Sequence, residues 1–168
     1  SAVSAGTEIA NYRANTSYVR YPFHPGYSAT GRVLATGPDV QQIKEGDRVM
    51  MTWSSHRSHS LVREGNLVRI DDASVSQQEA AFGNIASFAF LGVRKLRIQL
   101  GESALVAGQG ILGVIAAQLA RLSGAYPVIV TDYSNTRRDL ALGLGADFAF
   151  SPGESDLAGK IRAAAGWA

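Results

Sequence analysis

The hydrophobic and polar positions of this chain change rhythm at Asp71-Asp72. Before that point, short mixed apolar runs are broken every few positions by glycine or proline. Residues 29–35, 47–53 and 60–63 read as strands, with turns at Gly37-Pro38-Asp39, Glu45-Gly46-Asp47 and Glu64-Gly65-Asn66. Strands at that spacing predict a small barrel-like β domain. Beyond Asp72 the period lengthens. Ser76-Gln77-Gln78-Glu79 has the form of a capping box, and the Ala- and Phe-rich segment to Lys95 reads as one or two helices. An apolar run over 103–107, a helical stripe over 111–122, a second apolar run over 128–131 and a helix over 136–144 follow. A short strand over 148–150 comes next, and Ser151-Pro152-Gly153-Glu154 opens a last helix running towards Ala165. Strands alternating with helices predict a parallel sheet. The expected class is α/β, with a β domain over 1–85 followed by a doubly wound parallel sheet over 86–168, of which three strands make only the first half.

Between the run 103–107 and the helix 111–122 stand Gly108, Gln109, Gly110, Ile111, Leu112 and Gly113. This spacing suits a dinucleotide-binding turn. The first glycine permits the strand-to-helix reversal, the second lets backbone approach a pyrophosphate, and the third lets helix pack on strand. The helix N-terminus supplies N–H donors and a partial positive charge to the phosphates. With 18 glycines in the chain, three at these offsets recur by chance, so the flanking strand and helix carry the assignment. So does Asp132, which ends the second apolar run where a carboxylate would accept hydrogen bonds from an adenosine ribose. Its second reading is a cap for the next helix. A carboxylate there repels a 2′-phosphate and favours NAD. Arg137 and Arg138, close by with Tyr133, offer guanidinium groups to a 2′-phosphate and keep NADP open.

Composition narrows the remaining possibilities. The 168 residues are 46% hydrophobic and 18% charged, ample for a packed core. No apolar run approaches a membrane span and no leader pattern opens the sequence, so no membrane role is expected and a cytoplasmic location is the default. The net charge is +2. The one tight basic cluster, Arg94-Lys95-Leu96-Arg97, falls at a predicted helix end without aromatic interleaving, so no nucleic-acid partner is expected. The absence of cysteine excludes disulfides and thiolate metal sites.

The chain resembles the medium-chain dehydrogenase/reductases, which include the zinc alcohol dehydrogenases and zinc-free quinone reductases. The matching segments are Ser4-Ala5-Gly6-Thr7-Glu8, Pro25-Gly26-Tyr27-Ser28-Ala29-Thr30-Gly31-Arg32-Val33, Gly37 through Val40, Lys44-Glu45-Gly46-Asp47-Arg48-Val49, the glycine turn, and Leu144-Gly145-Ala146-Asp147. They recur in family order across nearly the whole chain. The resemblance implies a GroES-like β domain followed by a Rossmann domain, a small-molecule substrate in the cleft between them, a nicotinamide cofactor and a homodimer when full length. It also implies a chain truncated at both ends, starting after the first strands and stopping before the second half of the Rossmann domain. Little activity is expected of such a fragment alone.

The departures from the family pattern bear on the chemistry. Where zinc-dependent members place a cysteine before the first motif's hydroxyl, this chain has Ala5 or Ser4. Where they place histidine and glutamate, it has Tyr27 and Ser28, and the third ligand, a cysteine, matches Asn84. The cysteine-rich lobe that holds structural zinc is absent. The resemblance therefore implies an oxidoreductase without zinc, which must polarise a carbonyl or stabilise an enolate with hydrogen-bond donors alone. The candidates are Thr7, which matches the proton-relaying hydroxyl of the zinc enzymes, with Tyr27, Ser28 and Asn84 at the former ligand positions. Each has a plainer reading: a turn cap for Thr7, packing for Tyr27, satisfaction of backbone groups for Asn84. The three histidines are His24, His56 and His59. His56 and His59 can bite a metal only weakly, with no carboxylate evident as a third ligand, and are read as surface or cleft residues. A non-catalytic nucleotide-binding protein is the alternative from a different class.

Overall fold

The computed structural model describes residues 1–166. The chain divides into two compact units, Ser1–Ile85 and the residues from Ala86 onward.

The first unit opens with helix α1, Ala5–Tyr12. No helix is expected here from sequence; at only 8 residues it is too short for its period to stand out among the neighbouring glycine- and proline-broken runs. Strands β1 (Ser28–Arg32), β2 (Arg48–Thr52) and β3 (Leu67–Arg69) then form an antiparallel sheet in that order. Ser28 pairs with Thr52 at one end of the β1–β2 ladder and Arg32 with Arg48 at the other. The strand expected over 60–63 does not form. Leu61 is fully exposed there, and the third strand lies later, after a 3-10 turn at Glu64–Asn66. A long-range contact explains the shift. One oxygen of the Glu64 carboxylate accepts the backbone N–H groups of Gln41, Gln42 and Ile43 at 3.1, 2.6 and 3.2 Å, which fixes the turn and delays pairing until Leu67.

Helix α2, Gln77–Ala80, starts with the capping box expected from sequence: the Ser76 hydroxyl accepts the Glu79 N–H, and Glu79 accepts the Ser76 N–H. It lies on β1, whose hydroxyls reach its carbonyls. Thr30 donates to Gln77 at 3.0 Å and Ser28 to Ala81 at 2.6 Å. Helix α3, Gly83–Leu96, carries Ile85, Ala89 and Val93 buried at four-residue spacing. Its last turn holds Arg94 and Lys95, cations that complement the negative end of the helix.

The second unit contains β4 (Ala104–Ala107), α4 (Ile111–Leu122), β5 (Val128–Thr131), α5 (Asn135–Gly143), β6 (Phe148–Phe150) and α6 (Leu157–Ala164). The strands form a parallel sheet in the order β4-β5-β6. Every residue of the central strand β5 is buried, as a strand flanked on both edges and packed by crossover helices requires. Its core is small: Ala104, Ala117, Ala120, Ala125 and Ala141 surround Val128 and Val130. Alanines on α4 and α5 let the helix backbones approach the sheet closely. The last helix starts at Leu157 rather than at Ser151. Glu154 turns back to accept the Ser151 N–H at 2.6 Å, and Asp156 caps the helix by accepting from Gly159 at 3.2 Å.

Candidate functional site

In the second unit the glycine turn joins β4 to α4. Gly108 has φ +81°, a left-handed conformation open to glycine, and its N–H donates to the Thr131 carbonyl at 2.7 Å. Gly110 caps α4 with extended backbone. A Cβ at Gly110 would meet nothing within 4 Å, whereas one at Gly113 would lie 1.8 Å from the Gly108 carbonyl oxygen. The third glycine is thus required by close packing of helix on turn, and the second leaves open space beside the backbone. The first-turn N–H groups of Ile111, Leu112 and Gly113 are those a helix leaves without intrahelical acceptors. Ile111 is half-buried and Leu112 exposed, so this turn offers backbone rather than side-chain polarity.

Gln109, between the first two glycines, is buried. Its side-chain amide donates to the carbonyls of Val106 and Gly108, each at 3.1 Å. Its side chain thus stiffens the turn from within.

Asp132 closes this arrangement from the end of β5. One carboxylate oxygen accepts the Gln109 N–H at 2.7 Å and the other the Ser134 N–H at 2.8 Å. The residue is 8% exposed. The Ser134 and Gln109 donors, aided by the Arg137 guanidinium 3.7 Å away, hold its carboxyl below the usual range against the opposing effect of burial. The two candidate arginines part company here. Arg138 is committed to the carbonyls of Asp132 and Tyr133 at 2.6 and 3.1 Å, and to Asn135. Arg137 keeps a side chain 58% exposed beside Asp132, and Tyr133 is exposed next to it.

In the first unit three of the four candidates, Tyr27, Ser28 and Asn84, gather around the start of β1. The Tyr27 carbonyl accepts the Trp53 N–H and the Asn84 side-chain amide, both at 2.8 Å, and its ring lies 6.3 Å from that of Trp53. Ser28 is fully buried, and its hydroxyl donates to Ala81. Asn84 is buried as well. Both side chains therefore brace the backbone around Tyr27. Thr7 lies half-buried on α1 and accepts from the Ser4 hydroxyl at 3.4 Å.

One pairing escaped the sequence reading. His56 Nε2 lies 3.3 Å from a carboxylate oxygen of Glu8, so a carboxylate does stand beside this histidine. Its ring sits over Gly26, where a Cβ would come within 2.6 Å of the His56 backbone nitrogen. His59 is separate and exposed, bonded to Ser58. The signal was present in Thr7-Glu8, but no periodicity links it to a loop histidine far along the chain.

The positions matching the family's zinc ligands do not fit that metal. Ala5 has no donor atom, Tyr27 presents a phenol and Asn84 an amide already bonded to backbone. Among the described residues no group of three or more His, Cys, Asp or Glu is placed to hold an ion.

Residues 2–96 match the family described as Alcohol dehydrogenase GroES-like domain, and residues 112–167 the family described as Zinc-binding dehydrogenase. D-guloside 3-dehydrogenase of Shigella flexneri is 33% identical over 186 residues, covering 96% of this chain and 53% of the relative. L-threonine 3-dehydrogenase of Pyrococcus abyssi is 27% identical, over 93% of this chain and 53% of its own. The chain thus spans about half the length of these relatives. The crystal structure of Escherichia coli quinone oxidoreductase complexed with NADPH superposes with a TM-score of 0.82 at 27% identity, over 95% of this chain and 51% of that one.

Proposed function

Because the chain belongs to the medium-chain dehydrogenase/reductase superfamily, we propose that it serves an NAD(P)-dependent oxidoreductase. The reaction moves a hydride to or from a carbonyl, alcohol or activated alkene without zinc at the family's metal position. The observation that carries this reading is the glycine turn tied to Asp132. Its open backbone at Gly110, close packing at Gly113 and buried carboxylate are the parts a dinucleotide needs.

The first-turn N–H groups of α4 and the Gly110 backbone would hold the pyrophosphate, and Asp132 the adenosine ribose, with Tyr133 alongside. Arg137, exposed beside Asp132, is the guanidinium placed to meet a 2′-phosphate, so NADP is accepted beside NAD. When bound, the nicotinamide supplies the hydride acceptor or donor. The chain's own contribution is to orient the reacting oxygen. Thr7 and Tyr27 supply hydroxyl donors, while Ser28 and Asn84 keep the Tyr27 segment in place. Among the described residues no helix is long and apolar enough to cross a membrane, and the basic cluster at the end of α3 is accounted for by the helix dipole. The enzyme so proposed is cytoplasmic and acts on small molecules.

The test is a nicotinamide absorbance assay of the full-length protein with NAD and NADP across aldehydes, ketones, quinones, enones and polyols. Hydride transfer with at least one is expected, and silence across the whole panel overturns the reading. The engagement of Ser28 and Asn84 with backbone favours one rival, a nucleotide-binding protein that has lost its chemistry. It predicts tight NADH binding with no turnover, unaffected by Thr7→Ala and Tyr27→Phe.

A further inference from the structure

Glu8 and His56 form a half-buried pair, with its facing atoms buried, that the fold does not otherwise explain. The Glu8 side chain is 14% exposed, and both its carboxylate oxygens are buried without a hydrogen bond. His56 Nε2, 3.3 Å from one of them, is also buried and makes none. Buried polar atoms are paired in the great majority of cases, and a carboxylate left unsatisfied is costly. Here the 3.3 Å approach of His56 to Glu8 is the one interaction these buried atoms make among the described residues, so the pair calls for a purpose.

Their surroundings supply one. Glu8 stands three positions after Ala5 on α1, on the same helix face, and directly follows Thr7. The His56 N–H donates to the Pro25 carbonyl at 2.9 Å. Its Nδ1 would lie 3.0 Å from a Cβ at Gly26, the residue before Tyr27. The pair thus adjoins two of the three positions where the family's metal ligands are lost. The other ring nitrogen faces outward: Nδ1 is 2.9 Å from the hydroxyl of exposed Ser1. A carboxylate behind one imidazole nitrogen and a hydroxyl in front of the other is the arrangement of a general acid–base group with its orienting partner.

Resting on the oxidoreductase reading above, we infer that His56, backed by Glu8, carries the proton of the reaction. In alcohol oxidation the substrate O–H bond breaks and its proton passes to Nδ1, directly or across the Ser1 hydroxyl. The C–H electron pair would pass as hydride to a bound nicotinamide as the C=O bond forms. The imidazolium is neutralised by the Glu8 carboxylate behind it, whose distance shortens towards that of a charge-assisted hydrogen bond. In reduction the same proton returns to the carbonyl oxygen. His56 is the catalytic residue of the pair and Glu8 its positioning residue.

The experiment uses the full-length enzyme with NAD or NADP and a panel of 2,3-butanediol, sorbitol, L-threonine and simple secondary alcohols. His56→Ala is expected to lower kcat by about 10²–10⁴-fold, with the NADH dissociation constant within about threefold of wild type. Imidazole added to the buffer restores at least about tenfold of the loss, a rescue that a merely structural role would not show. Glu8→Gln lowers kcat by about 10–100-fold with the same NADH affinity. The inference is overturned if His56→Ala keeps wild-type kcat, or if it loses NADH binding together with turnover. Zinc present at one equivalent in wild type and missing from both variants also overturns it, because the pair would then be ligands. Wild-type silence across this and the wider panel is the separate failure of the oxidoreductase reading itself.

Discussion

The Asp132 carboxylate accepts the backbone N–H of Gln109 at 2.7 Å, so the tip of β5 holds the glycine turn in shape. A ribose placed there would compete for an oxygen already in use. Asp132 braces the turn, and under the proposed function it would also recognise the sugar.

Asp132→Ala removes two hydrogen bonds to a charged acceptor. Unfolding of the full-length variant in urea should show a loss of about 2 kcal/mol or more. Calorimetric titration should show NADH affinity falling at least about tenfold relative to NADPH, because the ribose loses its charged acceptor and Arg137 is released from its carboxylate neighbour. Equal losses for the two cofactors would place the ribose elsewhere.

The depressed carboxyl of Asp132 also gives a sign to the acid response. Its native state binds its proton less readily than the unfolded chain does. The stabilisation is therefore complete above the unfolded value of about 3.9 and is lost as pH falls through the lower folded value. Wild-type and Asp132→Asn stabilities should differ most above about pH 4.5 and converge in stronger acid. A gap that widens on acidification contradicts this.

The two glycines of the turn should separate stability from binding. At Gly113 an added Cβ strikes the Gly108 carbonyl, backbone that cannot yield cheaply, so Gly113→Ala costs about 1–3 kcal/mol and nucleotide affinity with it. At Gly110 the methyl meets open space. Gly110→Ala should melt like wild type yet bind NADH at least about tenfold more weakly, because the methyl occupies the approach to the backbone.

Ser28→Ala leaves the Ala81 carbonyl without its buried donor. A stability loss of about 1–3 kcal/mol is expected, with kcat lowered less than about threefold at a permissive temperature. A fall of two orders of magnitude in kcat with normal stability would restore Ser28 to the reacting group.

The second unit was the more legible in sequence because its signals are local. The runs ending at Ala107 and Thr131, and the stripe from Ile111 to Leu122, sit where their periods place them. Gly108 and Gly113 mark backbone geometry that few other residues tolerate. In the first unit the decisive contacts join distant segments. Glu64 reaches Gln41–Ile43 and so moves the third strand past residues 60–63, and no window around Leu61 contains that information. The same holds for the site: Asp132 and the turn were found from spacing, whereas the meeting of Glu8 and His56 depends on how α1 and a loop are folded against each other.

The separation in sequence between bonded partners has a consequence for synthesis. Ser28 and the Ala81 carbonyl lie 53 residues apart, and Gln109 and Asp132 only 23. The longer closure costs about 0.7 kcal/mol more in chain entropy, and it cannot happen until α2 has left the ribosome. The β1 end of the sheet therefore waits for more than half of its unit's later residues, while the glycine turn can latch as soon as β5 emerges. A chain that has emerged only to a point between residues 32 and 76 would leave β1 with its hydroxyls unmet, whereas one that has emerged through Ser134 could already close the turn.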